Sequence, residues 1–488
     1  MFKKQSLVLI ILIFCCYQIS FSQVDKKGKD SSEVYKQIQT YSKKNKFTKL
    51  LHKLVFRPVN VKTQKKKVVP KQFKNFEGKI MRNINIVTLD PFGYSEIDTT
   101  KKARNWAERT GNRIHIKTNR LTIKNLLLIK KNKPLDSLLV KESERLIRTQ
   151  RYISRVDVSP QLIKNNKDSV DIYIRVLDSW SIIPKGSISS SGSNFKLNDR
   201  NILGSGHEFN NEFRNRFSDG KNAYRVAYTI PNFKNTFIKT TVNYRIDLDD
   251  YYGKSINIER LFYSPFTKWA GGIYFDKQFR KDTLPDSNSA FAYQNFKYNS
   301  QDLWFGRAFR IFKSNTESDR TTNLVVAGRF LNVKYLESPT IDYDPNDFYS
   351  DEKFSLIGIG ITSRKFVQDS YIFKNGIIED VPIGKIFGIT SGYQHKNNQG
   401  RYYLVAQASF GNFYKWGFLS ANFELGTFLE KSNTKQNAFS FQANYFTNLI
   451  SLGKWKLRQF IKPQLIIGSN RVNVIGDQLN INENYGIQ

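Results

Sequence analysis

Histidine, cysteine and clustered carboxylates are where a 488-residue chain would show catalytic or metal chemistry. The four histidines, His52, His115, His207 and His395, are widely scattered. They form no His-Glu-x-x-His arrangement for zinc, and no Gly-x-Ser-x-Gly elbow supplies a serine nucleophile. The best metal candidate, Asp342-Tyr343-Asp344-Pro345-Asn346-Asp347, begins like a calcium loop. It then places Asp347 where glycine must turn the chain and Lys353 where the bidentate glutamate belongs, so a solvated acidic loop is the expectation. Gly204-Ser205-Gly206 is too short to cradle a phosphate and reads as a turn, because glycine supplies φ values that other residues resist. The sequence therefore predicts no enzyme, no cofactor and no metal site.

The elements around these residues are written in period two. From about Ser181 to Arg471, apolar or aromatic residues alternate with polar ones. In Phe439-Ser440-Phe441-Gln442-Ala443-Asn444-Tyr445 one face is Phe, Phe, Ala, Tyr and the other Ser, Gln, Asn. Tyr224 to Ile230, Tyr402 to Phe410 and Leu419 to Thr427 repeat the pattern. Successive strand residues point to opposite faces, so each segment is a strand with one apolar and one polar side. Roughly fifteen such segments match an outer-membrane β-barrel, apolar toward lipid and polar toward the lumen. A soluble antiparallel sandwich uses the same alternation around a dry core.

The N-terminus favours the barrel. Met1-Phe2-Lys3-Lys4 is a short basic region, Ser6 to Ile19 is apolar, and Ser20-Phe21-Ser22 before Gln23 has the small-x-small form of a signal peptidase site. Residues 1–22 are thus expected to be a leader. Both cysteines, Cys15 and Cys16, fall within it, and Phe14 stands where lipidation requires a small residue. The net charge is +35, and aromatic residues make up 14% of the chain, ample for interfacial girdles. Nucleic acid is an improbable partner for an exported chain; anionic lipid head groups or acidic clients are alternatives, beside a solvated face.

Residues 23–75 read as a basic connector. Residues 76–178 read as one small α/β domain: a strand at Ile80 to Val87, helices at Thr122 to Ile129 and Leu135 to Arg151, then strands at Ile153 to Val158 and Val170 to Leu177. Residues 179–488 are the barrel. If the small domain is periplasmic, every second connection of the barrel is a short periplasmic turn, with Leu203 to Ser205, Pro231 to Asn235 and Ser264 to Thr267 the first three. Ser314 to Arg320 and Asp369 to Ile383 read as too long for that alternation.

Leu138-Leu139-Val140-Lys141-Glu142-Ser143-Glu144-Arg145-Leu146-Ile147-Arg148, then Tyr152-Ile153 and Val156-Asp157-Val158, then Asp168-Ser169-Val170-Asp171-Ile172-Tyr173-Ile174-Arg175-Val176 together resemble a POTRA domain. Asn198-Asp199-Arg200-Asn201-Ile202-Leu203-Gly204-Ser205-Gly206 resembles the Asn-Leu-Leu-Gly-x-Gly turn found early in barrels of the BamA-like superfamily. The resemblance covers roughly residues 76–265. It implies a mainly β fold, an antiparallel transmembrane barrel of about 16 strands when complete, preceded by one POTRA-like periplasmic domain at the outer membrane. It implies insertion or translocation of unfolded or partly folded outer-membrane or secreted proteins, in contact with the lipid and lipopolysaccharide of that membrane. A passive or ligand-gated channel and a surface antigen are the alternatives.

Clients would add as a strand to a sheet edge, whose unpaired N–H and C=O groups make little demand on sequence. The candidates are Ile153, Val156 and Val158 on one strand and Val170, Ile172 and Ile174 on the other; sequence does not say which strand is the edge. At the C-terminus, Gly486-Ile487-Gln488 resembles the start of the Val-Arg-Gly-Phe loop motif of the same superfamily, with Gln where the family has Arg. The closing strand is accordingly expected beyond Gln488.

Overall fold

The computed structural model describes residues 73–472 apart from 164, 165, 432 and 454. The expected leader, all but the last residues of the connector, and Gly486, Ile487 and Gln488 lie outside them.

The first part is a small α/β module. It runs β1 (Ile80–Leu89), α1 (Trp106–Ile114), α2 (Arg120–Lys124), α3 (Ser137–Arg148), β2 (Ile153–Ile163) and β3 (Asn166–Asp178). The strands lie in the order β1-β3-β2, with β3 parallel to β1 and antiparallel to β2. Alternation in β3 puts Val170, Ile172, Ile174 and Val176 on one face, each at most 1% exposed, packed with Val140, Ile147 and Ile123 of the helices. Each such burial contributes about 1.5–3 kcal/mol. Asp136 starts α3 by accepting from the N–H groups of Leu138 and Leu139. The helix expected at Thr122 to Ile129 is instead the five-residue α2, and α1 is an additional element.

The second part is one large antiparallel sheet. Its strands are β4 (Ile182–Ile188), β5 (Gly192–Ile202), β6 (His207–Arg216), β7 (Asn222–Ile230), β8 (Lys239–Ile246), β9 (Tyr252–Arg260), β10 (Trp269–Pro285), β11 (Phe291–Arg310), β12 (Thr322–Glu337), β13 (Glu352–Ser370), β14 (Ile378–Lys396), β15 (Gln399–Tyr414), β16 (Gly417–Glu430) and β17 (Asn433–Thr447), followed by β20 (Phe460–Ile461) and β21 (Gln464–Ser469). A short hairpin, β18 (Ile450–Leu452) and β19 (Trp455–Leu457), stands apart. Each strand from β4 to β17 pairs with its neighbours in sequence, so the fold is mainly β with the up-and-down order of a barrel wall. Both β20 and β21 lie along β17; they are one strand interrupted at Lys462-Pro463, where proline has no N–H to donate. Among the described residues β4 and this last strand do not pair with each other.

The two faces differ in chemistry. Residues opposite one another across antiparallel strands share a face, and the register aligns Phe309, Leu324, Ile361, Phe387, Ala408, Phe423, Phe441 and Leu465 across eight strands. Two residues along the strands runs a second apolar row, Val326, Ile359, Ile389, Ala406, Leu425, Phe439 and Ile467. Between them, on the opposite face, lie Gly360, Gly388, Gln407, Glu424 and Ser440. The apolar rows are exposed: Ile359 at 53%, Ile389 at 55% and Leu425 at 59%. A continuous apolar face of this extent is unstable against water and suited to hydrocarbon.

Antiparallel order puts alternate connections at opposite ends. One end carries 203–206, 231–238, 261–268, 311–321, 371–377 and 415–416. The segment Asp369 to Ile383 is not a long loop, because β13 continues to Ser370 and β14 resumes at Ile378. Connection 311–321 is longer because it folds a short helix, α4 (Glu317–Arg320).

Lysine at Ile359 or Ile389 is expected to destabilise the chain in lipid vesicles by about 2–4 kcal/mol, whereas Gln407→Lys on the polar face should shift a denaturant midpoint little. Equal shifts at the two faces would remove the assignment of the apolar face to lipid.

Candidate functional site

The module docks onto the end of the sheet that carries connections 203–206 through 371–377, and charged residues make the contact. α3 buries two faces. One holds Val140 and Ile147 against the module's own core. The other presents Glu142, Arg145 and Arg148, spaced three apart and each under 10% exposed. Arg145 binds both carboxylate oxygens of Glu142 at 2.6 and 2.9 Å and donates to the Tyr263 carbonyl at 2.8 Å. Its guanidinium lies 4.0 Å from the ring centre of Phe366 on β13.

Arg148 makes a bidentate pair with Asp380 on β14, at 2.8 and 3.1 Å, and donates to Glu144 at 3.1 Å. Burial alone would favour loss of its proton, but the Asp380 and Glu144 carboxylates outweigh burial and hold it above the ordinary arginine range. Asp136 caps α3 and also receives both terminal nitrogens of Arg320 from α4, at 2.5 and 3.1 Å. That pair ties connection 311–321 to the start of α3. Lys141 and Glu317 add an exposed ion pair at 3.1 Å.

Glycine and aromatic residues complete the dock. In the turn 203–206, the Gly204 carbonyl accepts from the Asn119 N–H at 2.9 Å and the Thr122 hydroxyl at 3.0 Å. Gly204 and Gly206 have φ of +73° and +76°. A Cβ on Gly204 would stand 2.3 Å from the Lys117 carbonyl oxygen, and one on Gly206 2.8 Å from the Tyr152 hydroxyl. The Gly-x-Gly turn is therefore required by close approach of the module as much as by its own bend. Asn201 ties the turn together, accepting from the Gly206 N–H at 2.7 Å and donating to Thr118 at 2.9 Å. Burial pushes the Tyr152 phenol up, with Asp178 adding to it, so it stays protonated. Asp178 accepts from the Thr118 N–H at 2.8 Å and lies 3.0 Å from His115 Nε2, both side chains fully buried. In connection 231–238, Phe237 stacks on Tyr263 at 3.9 Å and packs against the module's core.

The six candidate client-strand residues are brought together, but as core. Ile153, Val156, Val158, Val170, Ile172 and Ile174 are all buried, at 9% exposure or less. The strands differ in position. β3 is hydrogen-bonded on both sides, so Val170, Ile172 and Ile174 lie on the middle strand, whereas β2 is the outer strand of the sheet among the described residues. Asp344 of the calcium-like segment spends its carboxylate oxygens on the N–H groups of Phe348 and Tyr349, as a turn brace does. The contact residues Glu142, Arg145, Arg148 and Asp380 carried no sequence signal beyond the charge spacing along α3.

No family model matches the sequence, and no curated protein matches it. Among solved structures, the chain is similar to BamA from Haemophilus ducreyi lacking POTRA domains 1–3, at 11% identity and a TM-score of 0.31 over 80% of this chain and 84% of that one. It is also similar to CdiB from Acinetobacter baumannii, at 10% identity and a TM-score of 0.26 over 90% of this chain and all of that one. CdiB from Escherichia coli gives 10% identity and a TM-score of 0.32 over 92% and 100%.

Removing one partner of a buried, hydrogen-bonded ion pair costs about 3–5 kcal/mol, while an exposed pair contributes about 0–1 kcal/mol. Asp380→Ala should accordingly lower the unfolding midpoint strongly and expose the module junction to protease, and Lys141→Ala should do neither. Similar effects from the two substitutions would show that the Arg148–Asp380 pair does not hold the dock.

Proposed function

We propose that this chain is an outer-membrane β-barrel protein of the BamA-like superfamily, whose POTRA-like module lies in the periplasm and whose barrel inserts or translocates client polypeptides. The two-faced sheet supports the barrel and its membrane. The observation that carries the client role is that β2 is, among the described residues, the outer strand of a module clamped to the sheet's end, with the Val156 N–H directed away from β3. An extended chain adding beside β2 would be delivered against the barrel without a sequence-specific pocket, because main-chain hydrogen bonds provide the affinity. No bond is made or broken in this reading, and no cofactor is needed. The same clamp also fits a passive channel with an anchored module, and client cross-linking separates the two.

Strand direction selects the test. Pro160 has no N–H, so its pair with Ile172 is one that exchanges no hydrogen bonds; in the regular stretch Arg155 to Leu162, Val156 has the same parity and directs its N–H away from β3. Val156→Pro should therefore leave the β2–β3 ladder standing while removing a donor to an added strand. With a photo-reactive residue at exposed Gln161, client adducts should fall several-fold in this variant while the module keeps its protease resistance. Undiminished adducts would exclude recognition through β2, and the absence of any polypeptide adduct in the unaltered chain would favour the channel.

A further inference from the structure

Helix α1 uses one face to hold the module and leaves the other bare. Gly111 packs on the Phe92 ring, Asn112 bonds the main chain of Phe92 in both directions, and Glu108 turns back to the N–H of Arg104. The opposite side presents Trp106 at 64% exposure and Ile114 at 59%, interleaved with exposed Arg109 and Arg113. Ile116 and Leu121 continue the exposed apolar surface, with Lys117 and Arg120 beside them. Residues 97–124 contain eight Lys and Arg and two acids, of which Glu108 faces inward. Tryptophan and isoleucine among arginines, on a short helix with nothing apolar covering them among the described residues, is the composition of a surface that rests on anionic head groups.

Its position agrees. Asn119 is bonded to Gly204, next to Leu203, which is 70% exposed. Ile114 is three residues from Lys117, whose carbonyl touches Gly204, so α1 ends within about 10 Å of chain from the sheet's turns. Those turns are themselves built for an interface. Four of them set an exposed aromatic directly beside a lysine: Phe233–Lys234, Phe312–Lys313, Phe373–Lys374 and Lys415–Trp416. Three connections at the far end are acidic, with Asp247, Asp249 and Asp250 in one, Asp286 in another, and Asp342, Asp344, Asp347 and Asp351 in a third. Aromatic residues beside lysine thus recur at the end that carries the module, whereas the far end has exposed Phe217 beside Arg216 and carboxylates in the three connections named.

We infer that α1 and the segment after it form a membrane-binding surface, seating Trp106 and Ile114 among anionic phospholipid head groups at the module-side leaflet while Arg109 and Arg113 pair with phosphates. The inference rests on the reading of the sheet as a membrane barrel. It adds a second attachment for the module, to lipid rather than to the barrel.

The test uses the full chain reconstituted in vesicles of phosphatidylcholine alone or mixed with phosphatidylglycerol, followed by amide hydrogen exchange. Exchange across 104–121 should be several-fold slower in the anionic vesicles, and the difference should disappear in high salt and in the variant carrying Trp106→Gln, Arg109→Gln and Arg113→Gln, all solvent-facing changes. If the chain floats with both kinds of vesicle, keeps its strands protected, and exchanges across 104–121 at one rate in both, the lipid surface is wrong and the barrel stands. If 104–121 is protected equally in detergent without lipid, the face is covered by protein. Failure of the chain to float with either vesicle would overturn the barrel reading and this inference together.

Discussion

A peptide group in hydrocarbon has no water to bond, and this constraint organises the molecule. An apolar face with one row crossing eight strands and a second crossing seven can stand in lipid only if the backbone between its side chains is paired to neighbours on both sides. The up-and-down antiparallel order satisfies that requirement with the shortest connections, and alternation places Gln407, Glu424 and Ser440 on the other face, away from lipid. The same order sends every second connection to one end, which creates the platform of turns that the module occupies.

The platform is held by chemistry that a barrel can provide only at its rim. In mid-membrane, a buried arginine pair would carry a large desolvation penalty with little to offset it. At the end of the sheet, Arg145 and Arg148 meet a carbonyl, an aromatic ring and carboxylates in fixed geometry, and each guanidinium is satisfied by more than one partner. Such pairs confer register more than net stability. They fix which turns the module touches, and the glycine turn at 203–206 and Phe237 then fill the remaining space by close approach.

Period two made the large sheet legible, because lipid on one face and water on the other impose a strict alternation that survives without any homologue. The core of β3 was legible because packing against helices on one face imposes the same alternation on Val170, Ile172, Ile174 and Val176. What sequence could not supply was non-local. Nothing in Val170 to Leu177 says that β1 returns to pair in parallel and places β3 in the middle. The charged face of α3 reads as solvated, since Glu142, Arg145 and Arg148 become buried only when connections distant in sequence arrive over them. α1 went unread because Arg, Glu, Asn and Gly dilute its apolar positions to Trp106, Ala107 and Ile114. Asp369 to Ile383 read as a loop because charged and glycine residues interrupt the alternation where β13 and β14 extend to meet the module.

The central claim is that the apolar rows face lipid and the rows between them face water. Single cysteines at Ile359, Ile389 and Leu425, and at Gln407, Glu424 and Ser440, in a chain with Cys15 and Cys16 replaced and reconstituted in vesicles, test it directly. Each would be probed with a membrane-impermeant thiol reagent and with a bilayer-embedded fluorescence quencher. The first three should resist the reagent and be quenched from within the bilayer, and the second three should react and escape quenching. Equal reactivity along both sets, or the reverse pattern, would contradict the two-faced barrel and the functional reading built on it.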